Sequence, residues 1–480
     1  MVEESSGSYR HILKYTGIFG GVQGLNIVIS LVRTKLVALL LGPSGMGLAS
    51  LFNTTVGFIS QATNFGLPIS AVKHLSALVE QGDDAGVRHY IKIIRWWGLM
   101  TALLGMAVCV MAGPFLSHHT FAWGDHTLHF ILLAPAVGLA AITGGETAIL
   151  KSARRLQQLA VVQVYAIFST LVIAVPAYYF WGQAAIVPVI VLQALVSMLL
   201  TIRYSYKLYP LQLSRAGNSL NEGFVMIRLG VAFVVAGVLG SGAEMLIRSY
   251  LNLQGDLDAV GLYNAGYMLT ITNAGIVFSS MEADYFPRLS AVQHDVKVMN
   301  ETVNRQMEVS LLLASPMLAT LIIALPVLIP LLFSGQFLPV VGMAQVAVFS
   351  MYMKAVSLPI SYLTLAKGDS VAYMLLEGLY DVVVVGLIVV GYQYGGLTGT
   401  GVALSLSYLL DLVVVGVYAS VRYHYQMSSQ VARYIAVQLL PGVAAYLTSR
   451  LEDSLLYWLL GGLCCLFSLL FSLFILHRHA

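Results

Sequence analysis

Charge is scarce in this sequence. Asp, Glu, Lys and Arg make up 10% of its 480 residues, against about 25% in soluble domains. A water-facing surface needs those charges, and a chain without them needs lipid as its solvent. An ordinary soluble enzyme is thereby excluded. The formal net charge is only +3, so bulk electrostatics gives a nucleic-acid partner no support. Cysteine is nearly absent. Cys109, Cys464 and Cys465 all lie in apolar stretches, which excludes a disulfide framework and leaves them as small membrane-embedded hydrophobes. There is no G-x-x-x-x-G-K-[ST] run, hence no Walker A nucleotide site, and no H-E-x-x-H zinc motif. Neither a cofactor nor a metal is expected. A cleavable signal peptide is not expected either, because Met1–Arg10 is polar and the first apolar stretch carries Arg33 and Lys35.

What is present is apolar length. Hydrophobic residues make up 58% of the chain, and the mean hydropathy is +0.82. At about 20 apolar residues per crossing helix, with connections, the chain has room for roughly 14 to 16 spans. Apolar stretches between charges and turn residues give fourteen segments: 12–41, 46–70, 92–116, 126–150, 158–181, 183–206, 223–249, 258–283, 306–334, 340–366, 370–394, 398–421, 430–448 and 454–476. Residues 73–95 read as a surface helix on the cytoplasmic face. The distribution of cations tests the count. With the N-terminus inside, 19 Lys and Arg fall on the inner side, Arg248 and Arg450 near the outer side, and Arg33, Lys35, Arg228 and Lys354 within spans. A missed helix would scramble that alternation. The expected class is therefore all-α, a polytopic membrane protein with about fourteen transmembrane helices and both termini in the cytoplasm.

The chain also repeats itself. Met46-Gly47-Leu48 opens the second segment and Leu75-Ser76 follows it; Val260-Gly261-Leu262 opens the eighth and Leu289-Ser290 follows it. Gly47 to Ser76 and Gly261 to Ser290 both span 29 positions, at an offset of 214 residues, or six helices. An even offset keeps the orientation, so two six-helix lobes in parallel repeat are expected around a central cavity. They would occupy residues 1–215 and 216–425, with two extra C-terminal helices at 426–480.

These residues carry a resemblance. Lys35 to Leu48 (KLVALLLGPSGMGL) with Gln61 and Asn64, then Tyr285-Phe286-Pro287-Arg288-Leu289-Ser290, then Gly395-Gly396-Leu397-Thr398-Gly399, resemble Wzx-type O-antigen and polysaccharide flippases. Those belong to the multidrug/oligosaccharidyl-lipid/polysaccharide exporter superfamily, which also holds lipid II flippases and multidrug extruders. The resemblance implies alternating access in a bacterial inner membrane. It implies movement of undecaprenyl-pyrophosphate-linked oligosaccharide from the cytoplasmic to the periplasmic leaflet, and a non-enzymatic monomer among membrane lipids. A polysaccharide polymerase and a chain-length regulator would be its partners in the pathway.

Polar residues inside the spans are the candidate site. Gln23, Asn26, Ser30 and Arg33 share one face of the first segment. Asn53, Gln61 and Asn64 continue the pattern in the second, and Lys354, Ser357, Ser361 and Thr364 form a stripe in the tenth. Interhelical hydrogen bonding accounts for the neutral residues equally well. Arg33 and Lys354 lie mid-span, where snorkelling is strained. A guanidinium matches phosphate oxygens in bidentate geometry, so Arg33 is the expected head-group anchor, assisted by Lys354 or Lys35. Arg248, sharing a face with Ser241 and Glu244, is a candidate for the cavity rim. Asn26, Asn53, Gln61 and Asn64 would bond the sugars. Glu377 and Asp381, four apart in the eleventh segment, are either a proton-coupling site or the counter-charge of Lys354. His118, His119, Asp125, His126 and His129 read as a solvated outer loop in preference to a zinc site. Two rival functions stay open. An organic-cation extruder would want an acid in the cavity. A membrane glycosyltransferase or ligase would want catalytic carboxylates or a large outer loop.

Overall fold

The computed structural model describes residues 2–120, 125–153, 155–211 and 231–479, and their side chains outside 2–27, 156, 231–233, 276, 279–284 and 479. Among the described residues every regular element is helical. The physical reason is the solvent: in hydrocarbon each backbone N–H and C=O must be satisfied within its own segment.

Helix α1 (Val2–Thr63) is about 93 Å long, too long for one crossing, and it breaks at Gly42. Gly42 takes φ 64°, ψ −172°, a conformation that side-chain-bearing residues avoid, and Pro43 restarts the helix from a position that needs no N–H donor. The second half ends at Thr63, seven residues before the expected limit. Asn64 Oδ1 accepts the Gly66 N–H at 2.7 Å, and Phe65 and Gly66 both adopt positive φ. The expected surface helix over 73–95 resolves into two pieces. They are α2 (Leu67–Gln81), ended by Gly82, and the first turns of α3 (Asp84–Thr120). Then come α4 (Thr127–Ser152), α5 (Leu156–Trp181), a 3-10 turn at Gly182–Ala185, α6 (Ile186–Leu208) and α7 (Val231–Gln254).

The second half of the chain is more broken. It runs α8 (Leu257–Tyr267), a π-helical turn at Met268–Asn273, α9 (Ala274–Val292) and α10 (Val296–Leu332). After a 3-10 turn at Gly335–Val340 come α11 (Val341–Ala347), α12 (Phe349–Ala366), α13 (Ser370–Tyr423), α14 (Ser429–Thr448) and α15 (Ser454–His479). Helix α13 folds back on itself at Gly396, φ 55°. The glycine run there serves a close backbone approach: a Cβ on Gly399 would sit 1.8 Å from the Gly391 carbonyl oxygen.

Nine helices among the described residues are long and apolar enough to cross a membrane, or ten if the bent pair Gly335–Ala347 and Phe349–Ala366 is one span. Three of them turn at Gly42, Gly182 and Gly396, and the fourteen expected segments fall largely on helix where they are described, the second being interrupted at Asn64–Gly66. Their outward faces are apolar, with Met111 72%, Leu103 60% and Phe474 65% exposed. Such exposure is what a lipid-facing helix shows. The protein is a multi-pass membrane protein.

Contacts divide the chain into two compact units, Met1–Leu253 and Gln254–Ala480. Helix α7 goes with the first because Arg248 bonds Ser50 and Asn252 bonds the Thr120 carbonyl. The repeat-based lobes, 1–215 and 216–425, divide the chain by sequence copy, a different criterion. In the first unit Leu75 packs with Leu67, Ile91, Ile94 and Ile149. Leu289, its repeat counterpart, packs with Met299, Val303, Ile360 and Val415 in the second. Both leucines are almost wholly buried.

Candidate functional site

Short hydroxyl and amide side chains in the second half of α1 bond mostly to their own helix. Asn53 Nδ2 donates to the Ala49 carbonyl at 2.8 Å, and Thr54, Thr55 and Thr63 make the same backward bond. That removes the penalty of a bare polar group in lipid. Asn53 and Gln61 are nevertheless exposed. Asn64 donates to Gln61 Oε1 at 2.9 Å while its own oxygen closes the helix end. The expected trio is thus one exposed amide, Asn53, and one mutually bonded pair. The side chain of Asn26 lies outside the described residues.

Arg33 is half-buried in α1. Its electrostatic neighbour among the described residues is the Tyr178 hydroxyl of α5, not a carboxylate. Tyr178 itself is only 6% exposed. Lys35, also half-buried, engages a partner of its own. Arg248 stands differently from an open cavity rim. It is 5% exposed, with Nε donating to Ser50 Oγ at 2.9 Å and a terminal nitrogen to the Glu244 carbonyl at 3.1 Å. Its guanidinium ties α7 to the second half of α1.

One charged network in the first unit escaped the sequence reading. Arg95 of α3 and Glu146 of α4 pair at 2.9 Å, their side chains 10% and 4% exposed. Ser205 of α6 donates to the other carboxylate oxygen. Arg95 also donates to the Tyr209 and Pro210 carbonyls and lies over the Tyr206 ring at 4.3 Å. Each nitrogen of Arg95 and each carboxylate oxygen of Glu146 has at least one hydrogen-bond partner. In the sequence Arg95 is one of the 19 inner-side cations. Its one sequence signal was an acid, Glu146, near the end of an otherwise apolar segment.

In the second unit the mid-span charges gather. Glu377 and Asp381 of α13 share one face, and Glu377 has Asp411, Asp381 and Lys354 as electrostatic neighbours. Ser357 of α12 hydrogen-bonds Asp411, which also feels Lys354. The rest of the α12 stripe turns back on its own helix, Ser361 to the Ser357 carbonyl and Thr364 to the Ser361 carbonyl. Tyr380 and Tyr408 close the group, with ring centroids 5.2 Å apart. Lys354 Nζ approaches Gly275, just after the π-helical turn of Met268–Asn273. A π turn often marks a working position in a helix. In the sequence Asp411 is an isolated acid of the twelfth segment, with no neighbour to single it out. Its place here is set by the fold-back at Gly396, which returns residue 411 alongside residue 377.

Around the C-terminal end of α3, His119 contacts the Phe115 carbonyl, and the His126 and His129 rings sit 5.1 Å apart. Among the described residues no three His, Cys, Asp or Glu are arranged to hold a metal. Asp125 accepts from Thr127 N–H at 2.9 Å and from Ser117 Oγ at 3.3 Å. The Thr127 hydrogen bonds above all hold its carboxyl below the usual carboxylate range, with those of Ser117 and the nearby His126 adding to them.

No curated protein matches the chain. Solved structures do, at the level of the fold. A multidrug resistance MATE family transporter of the MOP superfamily, in an inward-facing conformation, superposes with TM-score 0.70 at 15% identity, over 83% of this chain and 94% of its own. The lipid II flippase MurJ, inward closed, gives TM-score 0.70 at 13% identity over 96% and 99%. A MOP superfamily transporter from Pyrococcus furiosus gives 0.59 at 14% over 85% and 93%. The chain therefore has the fold of these transporters. Residues 36–342 match the family described as polysaccharide biosynthesis protein. That stretch runs from just before the Gly42 break of α1 to the start of α11, and on it the chain belongs to the polysaccharide biosynthesis protein family.

Proposed function

We propose that this protein is a flippase for lipid-linked oligosaccharide, moving an undecaprenyl-pyrophosphate-linked glycan from the inner to the outer leaflet of a bacterial inner membrane. The observation that carries the reading is Arg33, a mid-span guanidinium whose electrostatic neighbour among the described residues is a tyrosine hydroxyl. A cation held that way is costly unless it receives an anion, and pyrophosphate is the fixed anionic feature of such substrates. Arg33 would hold the head group, with Lys35 as a further cation, and the exposed amides of Asn53 and Gln61 would meet the sugars. The family, and the likeness in fold to a lipid II flippase, support the same substrate class.

The inner-side excess of Lys and Arg supports cytoplasmic termini. With that orientation the membrane potential drives export. Each charge gains about 2.3 kcal/mol per 100 mV, and a head group with two negative charges roughly twice that. The cluster of the second unit adds a means of coupling. Glu377 and Asp411 lie about one ammonium, Lys354, with Asp381 beside Glu377, and acids gathered so inside a span suit the binding of a coupling cation, a proton or a metal ion. The same cluster is the observation that favours the rival reading, extrusion of an organic cation.

Proteoliposomes separate the two. The flippase reading expects a fluorescent lipid-linked oligosaccharide to change leaflets, and expects Arg33→Ala to stop it. Efflux of ethidium that depends on Glu377 and ignores Arg33→Ala, with no lipid movement, would replace it by the rival.

A further inference from the structure

Arg33 has a second hydrogen-bond donor beside it. Its guanidinium on α1 and the Tyr178 hydroxyl on α5 are electrostatic neighbours within the first unit. Local structure explains why they meet. Helix α1 packs along α5, and Gln183 Nε2 donates to Ser44 Oγ at 3.1 Å. That bond holds the turn at Gly182–Ala185 against the helix that restarts after Gly42. The two helices can therefore be counted down from one level. Arg33 lies nine residues before Gly42, about 14 Å along the axis. Tyr178 lies four residues before Gly182, about 6 Å along its own axis. Helical side chains lean toward the start of their helix, which carries the Tyr178 hydroxyl deeper, toward the level of Arg33.

The pair is rich in donors and poor in acceptors. A guanidinium offers five N–H groups and accepts nothing, while a neutral phenol adds an O–H. Among the described residues neither side chain makes a hydrogen bond, to the other or to anything else. Neither is among the sealed polar atoms that lack a partner, so both keep accessible surface. The other buried arginines of the unit are treated differently. Arg95 has Glu146 and two carbonyls, and Arg248 has Ser50 and the Glu244 carbonyl.

Donors left open inside a span cost free energy. The phenol oxygen could take one N–H of Arg33, but its own O–H would still need an acceptor. An anion meets both, with a charge-assisted bond from each side. The number of oxygens then chooses between anions. A carboxylate spends both of its oxygens on the guanidinium fork, whereas a pyrophosphate keeps further oxygens for another donor.

We infer that Tyr178 is a direct ligand of the transported head group, its hydroxyl donating to the same pyrophosphate that Arg33 holds. The identity of the anion rests on the flippase reading.

Native mass spectrometry of the full-length protein in detergent tests the assignment with two probes. One is a farnesyl-pyrophosphate-linked monosaccharide, the other the same farnesyl monosaccharide without phosphate. Tyr178→Phe keeps the ring and removes only the hydroxyl. It should weaken the pyrophosphate probe about tenfold, as a lost hydrogen bond to a charged group does. Binding of the neutral probe and the unfolding temperature should stay unchanged. Arg33→Ala should weaken the pyrophosphate probe further, and adding Tyr178→Phe to it should then cost less, because the two donors share one ligand group. Wild-type affinity of Tyr178→Phe for the pyrophosphate probe, with Arg33→Ala still weakened, overturns the inference alone. Equal weakening of both probes by Tyr178→Phe also overturns it, by making Tyr178 a packing residue. A wild-type protein that binds the two probes alike overturns the flippase reading, and the inference with it.

Discussion

The two compact units treat buried charge in opposite ways. In the first, Glu146 meets Arg95 and Ser205, and Arg95 also donates to the Tyr209 and Pro210 carbonyls. In the second, Glu377 and Asp411 both feel the ammonium of Lys354, Asp381 adds a further acid beside Glu377, and Ser357 donates to Asp411. A saturated network rigidifies the helices it joins and has nothing left to offer a ligand. An unbalanced one stores a demand for charge. Arg33 is the mirror image of that demand in the first unit, a cation with a hydroxyl for company. The lesson is that burial alone does not mark a working residue. The balance of donors, acceptors and charge around it does.

That contrast can be broken by substitution. The largest effect is expected at Arg33. Arg33→Ala should abolish surface polysaccharide while the protein still accumulates in the membrane, and Arg33→Lys should restore only part, because the planar fork is lost. Normal polysaccharide in Arg33→Ala would return Arg33 to a packing role.

Glu146→Ala comes next and acts on stability. It leaves Arg95 buried without its carboxylate, which costs about 3–5 kcal/mol by analogy with broken buried pairs. Thermal unfolding in detergent should show a large drop. The paired change Arg95→Met with Glu146→Leu should recover much of it, and failure to recover would mean that the pair does more than hold α3 to α4.

The second unit should answer differently. If Glu377 and Asp381 balance Lys354, then Glu377→Gln lowers stability and Lys354→Met rescues it, a non-additivity measurable by the same unfolding. If they carry the coupling cation, Glu377→Gln or Asp381→Asn should fold normally and lose the dependence of lipid movement on an ion gradient. Wild-type behaviour in both assays would leave these acids without a task.

The smallest effect belongs to Asp125, which joins the ends of α3 and α4. Its carboxyl is held below the ordinary range by Thr127 hydrogen bonds first, then by Ser117 and His126. A depressed carboxylate contributes stability that is full above its unfolded value and is lost as pH falls through the folded one. Asp125→Asn should therefore flatten the acid end of the stability curve slightly and leave the neutral end almost unchanged. Acid and neutral unfolding curves that both keep their wild-type shape would show that the loop is held by other contacts.

Much of the fold was legible in the sequence because hydropathy and turn chemistry act locally. Gly42-Pro43, Gly182 and Gly396 mark chain reversals by their own backbone preferences, wherever the rest of the chain lies. The limits that moved did so for local reasons written in weaker signals. The second segment stopped at Thr63 because Asn64 caps Gly66, a two-residue device inside an apolar run. The expected 73–95 helix split because Gly82 takes positive φ.

Sequence by itself determined the solvent, the helical class and the approximate spans, because lipid leaves the backbone one local solution and apolar length measures the bilayer. It also singled out Arg33, Lys354, Glu377 and Asp381, since an ionisable group amid apolar neighbours is visible without a partner. Only the tertiary structure decided who the partners are. Arg95 met Glu146 across 51 positions, Arg248 met Ser50 across 198, and Asp411 returned to Glu377 through the turn at Gly396. Pairing energy depends on distance in space, and a sequence read without its fold carries no measure of that distance.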